Sequence, residues 1–171
     1  MAIPPSERAG SFQEDYERHL VPVMFEPYAE DLVARVTARD HRSLLEVASG
    51  TGAVTRRLLG RLSDSARLVA TDINEGMIET GSECTPADPR LEWRAADGAA
   101  LPFADASFDT VLCQFGVAFF PDKPAGFREA RRVLQPGGRY LFNVWESFER
   151  NSFGRIARDT IVSFFPGDPP H

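Results

Sequence analysis

Basic clusters, paired cysteines and long apolar runs are all scarce in this sequence, and each absence removes a class of protein. No basic run exceeds the pairs Arg56-Arg57 and Arg131-Arg132, and 19 basic residues against 25 acidic ones leave a net charge of -6. A phosphate-backbone footprint is therefore missing, and nucleic acid is not the expected ligand. Cys84 and Cys113 form neither the dense, even spacing of a secreted disulfide scaffold nor a metal-type pair, which points to a reducing compartment and to no metal site. The stretch from Met1 to Arg8 lacks the charged-then-apolar order of a signal peptide, and no apolar run approaches the roughly 18 residues that span a bilayer. The expectation is a cytoplasmic chain with no membrane partner. What remains is ordinary globular composition: 171 residues, 43% hydrophobic and 26% charged, enough for one core that takes roughly 70% of the unfolded surface out of water.

Apolar runs of strand length alternate with stretches of helical period, the pattern of an α/β fold with a parallel sheet. Phe12, Tyr16 and Leu20, then Met24, Phe25, Tyr28, Leu32 and Val36, recur at spacings of three and four, broken by Pro22 and Pro27. They predict two or three helical pieces. Strands are expected at 43–48, 67–72, 91–95, 108–113 and 139–145, with helices carrying Val54, Leu58 and Leu62, then at 74–81 and 123–134. Pro136-Gly137-Gly138 reads as the punctuation before the fifth strand. A last amphipathic stretch covers 153–165, and Pro166 to His171 form a polar stop. The division expected is a helical cap over 1–40 and a sheet-bearing core over 41–171.

In an open parallel sheet, ligands bind beyond the carboxyl ends of the strands. Gly50 and Gly52 follow the first strand there, free to adopt positive φ and to let a ligand approach the backbone. Asp72 closes the second strand, 20 residues past Gly52, the separation at which a carboxylate accepts hydrogen bonds from ribose hydroxyls. Asp97, beside Gly98, ends the third strand. Each has a plainer reading: a tight strand-to-helix connection, a helix N-cap, a simple turn. Glu46 is harder to explain that way, because an unpaired carboxylate inside an apolar strand is costly; it is expected to face backbone amides, water or a cationic ligand group. A dinucleotide fold would want a third glycine where Thr55 stands, and has no use for Glu46. A ribose, an adenine and a cationic amino-acid tail without phosphate would suit both features, and S-adenosylmethionine has those parts.

The string from Leu44 to Gly52, LLEVASGTG, resembles the first motif of class I S-adenosylmethionine-dependent methyltransferases. Ala70 to Ile78 looks like that family's ribose-binding segment, and Ala96 to Phe103 like its adenine-contacting one. Ser107-Phe108-Asp109-Thr110-Val111 and the segment from Arg131 to Gly138 are similar to its fourth-strand and pre-fifth-strand signatures. The resemblance runs from about Tyr16 to Trp145 and lies nearest to the small-molecule, quinone-biosynthesis type. It implies a doubly wound, Rossmann-like open sheet of at least five parallel strands in the order 3-2-1-4-5 with N-terminal helices. The implied activity is methyl transfer to a small organic acceptor.

By position, the resemblance implies that Glu46, with Ala48, Ser49, Gly50 and Gly52, holds the methionine end. Asp72 would take the ribose, Ile73 and Met77 the adenine face, and Asp97 the adenine amino group with Gly98 alongside. Gln114 and Phe115 would line the floor beneath the sulfonium, and Tyr16 would close over the cofactor. For Tyr16, Met77 and Phe115, simple core packing competes with these roles. Ala48 stands where the family usually has a glycine; it is expected to keep negative φ and pack somewhat more tightly. No catalytic residue is named: His41 precedes the first strand, away from the site, and His19 reads as a surface residue. Phe115, Phe119, Phe120 and Trp145 near the mouth suggest an apolar or planar acceptor, or else pack helix against sheet.

Methyltransferases of this resemblance ordinarily carry seven strands, whereas five are read here. The fifth would then present an open apolar edge. Three arrangements fit: a piece of a longer protein, which the abrupt ending favours; a homodimer through that edge; or a cofactor-binding module without a complete acceptor site. A nicotinamide-dependent oxidoreductase is the remaining alternative, against which Thr55 and Glu46 argue.

Overall fold

The computed structural model describes residues 12–164, so the readings at Met1 to Arg8 and Pro166 to His171 lie outside the described residues. The chain opens with a helical arm: α1 (Phe12–Asp15), a π-helical stretch (Tyr16–Phe25) and α2 (Glu26–Val36), one following directly on the next. Neither proline separates the pieces. Pro22 lies inside the wide π-helical stretch, and Pro27 falls in the first turn of α2, where the fixed φ of proline suits the helix.

Five strands follow: β1 (Ser43–Val47), β2 (Arg67–Asp72), β3 (Leu91–Ala95), β4 (Phe108–Gln114) and β5 (Leu134–Asn143). All pair in parallel, in the order β3-β2-β1-β4-β5, as the family resemblance implied. Helices α3 (Ala53–Leu59), α4 (Glu75–Cys84) and α5 (Lys123–Val133) connect them, with a 3₁₀ turn at Gly116–Phe119, and α6 (Ser152–Ser163) comes last.

The period of two along β1 divides the core. Leu44 joins Leu32, Val33, Val36, Val54 and Leu58 on the side of α2 and α3. Leu45 and Val47 join Val69, Val111, Ala130 and Val133 on the side of α5. The same alternation turns Glu46 toward α3, which decides its partner below.

The fifth strand departs from the expected 139–145. It begins at Leu134, immediately after α5, and ends at Asn143. Leu134 pairs with Phe108 and Arg139 with Thr110, so Pro136-Gly137-Gly138 is absorbed as a register shift within the strand, with Gly137 at φ 81°, rather than standing before it. Trp145 leaves the ladder. β5 is an edge strand with Phe142 42% exposed, and α6 has no buried residue; its Phe153, Ile156 and Ile161 are more than half exposed.

At the amino end of the sheet, His41 is buried, with Nε2 2.7 Å from the Val36 carbonyl and Nδ1 2.7 Å from Thr110 Oγ1. It ties the arm to β4 far from the strands' carboxyl ends. His19 is exposed beside Asp15.

Trp93 of β3 fills the gap between the turn after β1 and α4. A Cβ on Gly52 would lie 2.6 Å from Trp93 Cη2, and one on Gly81 2.8 Å from the same atom. Gly52 also has φ 88°. Gly52→Ala should therefore cost about 2–4 kcal/mol of stability from clash and backbone strain together. Urea denaturation checks this, with Gly60→Ala as control, since the nearest atom to its added Cβ is 3.6 Å away.

Candidate active site

The carboxyl ends of β1 to β4 open on one crevice of about 440 Å³. Of the residues picked from the sequence, Tyr16, Ala48, Gly50, Asp72, Ile73, Met77, Asp97, Gly98, Gln114 and Phe115 all line it. Glu46 and Ser49 line a smaller cavity of about 20 Å³ next to it, which shares Tyr16, Phe25, Ala48 and Gln114 as walls and has room for one water. Gly52 lines neither, because its α-carbon faces Trp93.

Asp72 is the join between two elements. Its Oδ2 accepts the Gly50 N–H at 2.8 Å and its Oδ1 the Asn74 N–H at 2.9 Å. The carboxylate thus fixes the glycine turn to the start of α4, and each oxygen keeps acceptor capacity for a ligand. Asp97 Oδ1 accepts the Ala99 N–H at 2.8 Å, closing the turn after β3. Gly98 is small for a packing reason: an added Cβ would sit 2.8 Å from both Phe120 Cζ and Val47 Cγ1.

Glu46 does not face backbone amides, as one expectation had it. It is 1% exposed, and its Oε2 accepts the Thr55 hydroxyl at 2.6 Å. Burial pushes its pKa from 4.5 up to about 8, against the opposing pull of the Thr55 hydrogen bond and of Arg56. Thr55, where a dinucleotide fold would place glycine, is that carboxyl's partner.

Ala48 corrects the sequence reading: its φ is 55°, not negative. The left-handed turn begins here although the Ser49 N–H still continues the ladder to the Thr71 carbonyl of β2 at 2.8 Å. The methyl is housed because Gly116 has none; a Cβ there would lie 2.3 Å from that of Ala48. Phe115 is the second left-handed residue at the crevice that is not glycine, at φ 60°. Its N–H donates to both the carbonyl and Oδ1 of Asn143, each at 3.1 Å.

The aromatic residues divide between the two roles left open. Phe115 stacks face to face on Trp145 with centroids 3.9 Å apart, and Tyr28 meets both rings edge-on. This group packs the arm onto the ends of β4 and β5, and Trp145 does not line the crevice. Phe119 and Phe120 do, with Phe119 82% exposed at the rim.

Tyr16 lies over the glycine turn: a Cβ on Gly50 would be 3.5 Å from its hydroxyl. Burial, with Asp72 and Glu17 nearby, pushes this phenol up to about 12, so it stays neutral. Three features escaped the sequence reading. Glu17, one residue on, accepts from Thr51 Oγ1 and from Arg56 Nη2. Gln114 donates to the Phe25 carbonyl at 3.2 Å while its Oε1 is buried with no partner among the described residues. Trp93 sets the glycine at 52. A carboxylate beside Tyr16 on the arm was the available signal for the first.

A family model described as a methyltransferase domain matches residues 45–142, from within β1 to within β5. The chain belongs to that family. The methyltransferase domain is 42% identical over 106 residues to the ubiquinone/menaquinone biosynthesis C-methyltransferase UbiE of Paracoccus denitrificans, covering 60% of this chain and 42% of that protein. The chain thus spans less than half the length of such curated relatives. Among solved structures, a SAM-dependent methyltransferase from Aquifex aeolicus superposes with TM-score 0.68 at 17% identity, over 88% of this chain and 78% of that one. The cyclase SpnF shares the fold at TM-score 0.62 and 24% identity, over 68% and 43%. The fold is therefore that of the methyltransferase domain.

The buried Glu46 has a pH signature. The folded domain keeps a proton that the unfolded chain releases above about pH 4.5, so this group lowers stability progressively as pH rises toward about 8. Glu46→Gln, which still accepts from Thr55, should gain on the wild type between pH 5 and pH 8. Urea midpoints for both proteins across that range check it; parallel midpoints would count against the assignment.

Proposed function

We propose that this domain binds S-adenosylmethionine in the crevice and serves methyl transfer to a small organic acceptor, and that it works in the cytoplasm. The single observation that carries the reading is Asp72, whose carboxylate braces the Gly50 turn while facing a crevice that also holds Asp97. The residues fit the cofactor. Gly50 and Tyr16 both line the crevice, where the glycine leaves the backbone bare, and the Gln114 Oε1, unpartnered among the described residues, can take a donor such as an ammonium.

When bound, the cofactor supplies an electrophilic methyl on a sulfonium. The chain's part is binding, orientation and exclusion of water. Asp72 would accept from the ribose hydroxyls, Ile73 and Met77 would flank the adenine, and Asp97 with Gly98 would hold its amino edge. The Gly50 turn, Ser49, Glu46 and Gln114 would surround the methionine end, with Ala48 and Phe115 as floor. Gly52 acts at one remove, by letting Trp93 support the turn. A negative or acceptor-rich surround favours a cation and disfavours a phosphate. Tyr16 over the turn and the aromatic group behind Phe115 would keep water from the sulfonium.

For the acceptor, the apolar rim of Phe12, Phe119 and Phe120 supports an apolar or planar molecule, and the UbiE relatives support one of quinone-precursor type. A second reading, a cofactor-binding module without turnover, rests only on the exposed Phe142 of the β5 edge and the exposed face of α6. The nicotinamide alternative has no comparable support.

Titration with S-adenosylhomocysteine, paired with a turnover assay on quinol-like acceptors, tests the reading. The wild type should bind, and Asp72→Ala should weaken binding by about ten- to a hundred-fold through loss of hydrogen bonds to a charged acceptor. An unchanged Kd in the variant would overturn the ribose assignment, and binding without turnover would favour the module.

A further inference from the structure

The glycine turn is held from two sides. Asp72 grips it from β2, and a second carboxylate grips it from the arm. Thr51 lies between Gly50 and Gly52, both at positive φ, where the backbone has little intrinsic preference to hold it. Its hydroxyl donates to Glu17 Oε2 at 2.5 Å, and its carbonyl accepts from Arg56 Nη1 at 2.7 Å. Arg56 Nη2 closes the ring by donating to Glu17 Oε1 at 2.6 Å. Glu17 thus spends one oxygen on the turn and the other on α3. The pair is largely covered, with the Arg56 and Glu17 side chains 20% and 22% exposed, so it is less screened than a surface ion pair.

Glu17 adjoins Tyr16 at the start of the π-helical stretch. The i to i+5 spacing of such a helix sets Tyr16 near Val21, and both wall the small cavity beside Glu46, together with Phe25. Tyr16 itself makes no hydrogen bond to the turn that could set its height above Gly50 among the described residues. The carboxylate one residue later does that for it.

We infer that Glu17 is a positioning residue, a latch that locks the arm to the glycine turn so that Tyr16 and residues 50–52 move as one piece and the cofactor leaves only when the latch opens. The part concerning cofactor release rests on the function proposed above. The latch itself is a property of the free chain.

The test uses the full chain with Glu17→Ala and, as control, Glu30→Ala, which removes ion pairs of the same arm to Arg57 and Arg61 without touching the turn. Hydrogen exchange in the free proteins should show amides of 12–25 and of 50–52 losing protection together in Glu17→Ala and keeping it in Glu30→Ala. Stopped-flow dissociation of S-adenosylhomocysteine should be about tenfold faster in Glu17→Ala, the equivalent of about 1.4 kcal/mol. Glu17→Gln should fall between it and wild type, because an amide can still accept from Thr51. Loss of protection in one segment alone, or an equal effect from Glu30→Ala, would overturn the latch. A wild type that fails to bind S-adenosylhomocysteine would overturn the proposed function and the release step with it, and the exchange result would then decide the latch by itself.

Discussion

The crevice depends on one backbone feature, the abrupt turn that takes the chain out of β1. Ala48, Gly50 and Gly52 are all left-handed within five residues, a geometry that L-residues disfavour by about 1–2 kcal/mol each unless they are glycine. It persists because it is tied on every side. The Ser49 N–H continues the β2 ladder, Asp72 takes the Gly50 N–H, and the Glu17–Arg56 pair holds Thr51. The turn aims backbone at the crevice while α3 leaves it toward the opposite face.

Unfavourable local choices gather around this turn. Glu46 is a buried carboxyl with one hydroxyl partner, Ala48 and Phe115 hold strained φ values, and Gln114 buries an oxygen unpaired among the described residues. Each costs stability where it stands, and the apolar layers on both faces of the sheet offset them. On the function proposed above, a ligand carrying matching donors or positive charge would meet polar groups held in such states, and binding would offset part of their cost. The small residues nearby serve packing more than ligand access: Gly116 houses Ala48, Gly98 and Gly126 house Phe120, and Gly52 and Gly81 house Trp93.

Much of this was legible beforehand because the signals are local. Apolar runs marked every strand, their alternation with helical periods pointed to a parallel sheet, and the family resemblance implied its order. The acidic residues at strand ends, Asp72 and Asp97, reached the crevice because a parallel sheet sends all its carboxyl ends to one side. What was not legible depends on partners distant in sequence. The sign of φ at Ala48 follows from Gly116, the partner of Glu46 follows from the pairing of β1 with α3, and the early start of β5 follows from how Leu134 meets Phe108. Pro22 looked like a break, yet the wide turns of the π-helical stretch accommodate it. A single residue pattern cannot separate Gly50, which faces the crevice, from Gly52, which faces a tryptophan.

The account stands or falls on what occupies the space between Asp72 and Asp97. A crystal structure of the chain grown with S-adenosylhomocysteine measures this most directly. The account predicts density for a ribose within hydrogen-bond distance of the Asp72 carboxylate, with the adenine between Ile73 and Met77 and the amino-acid end under Tyr16. Density for the ligand at any other place on the molecule, with the Asp72–Asp97 crevice empty, would contradict it.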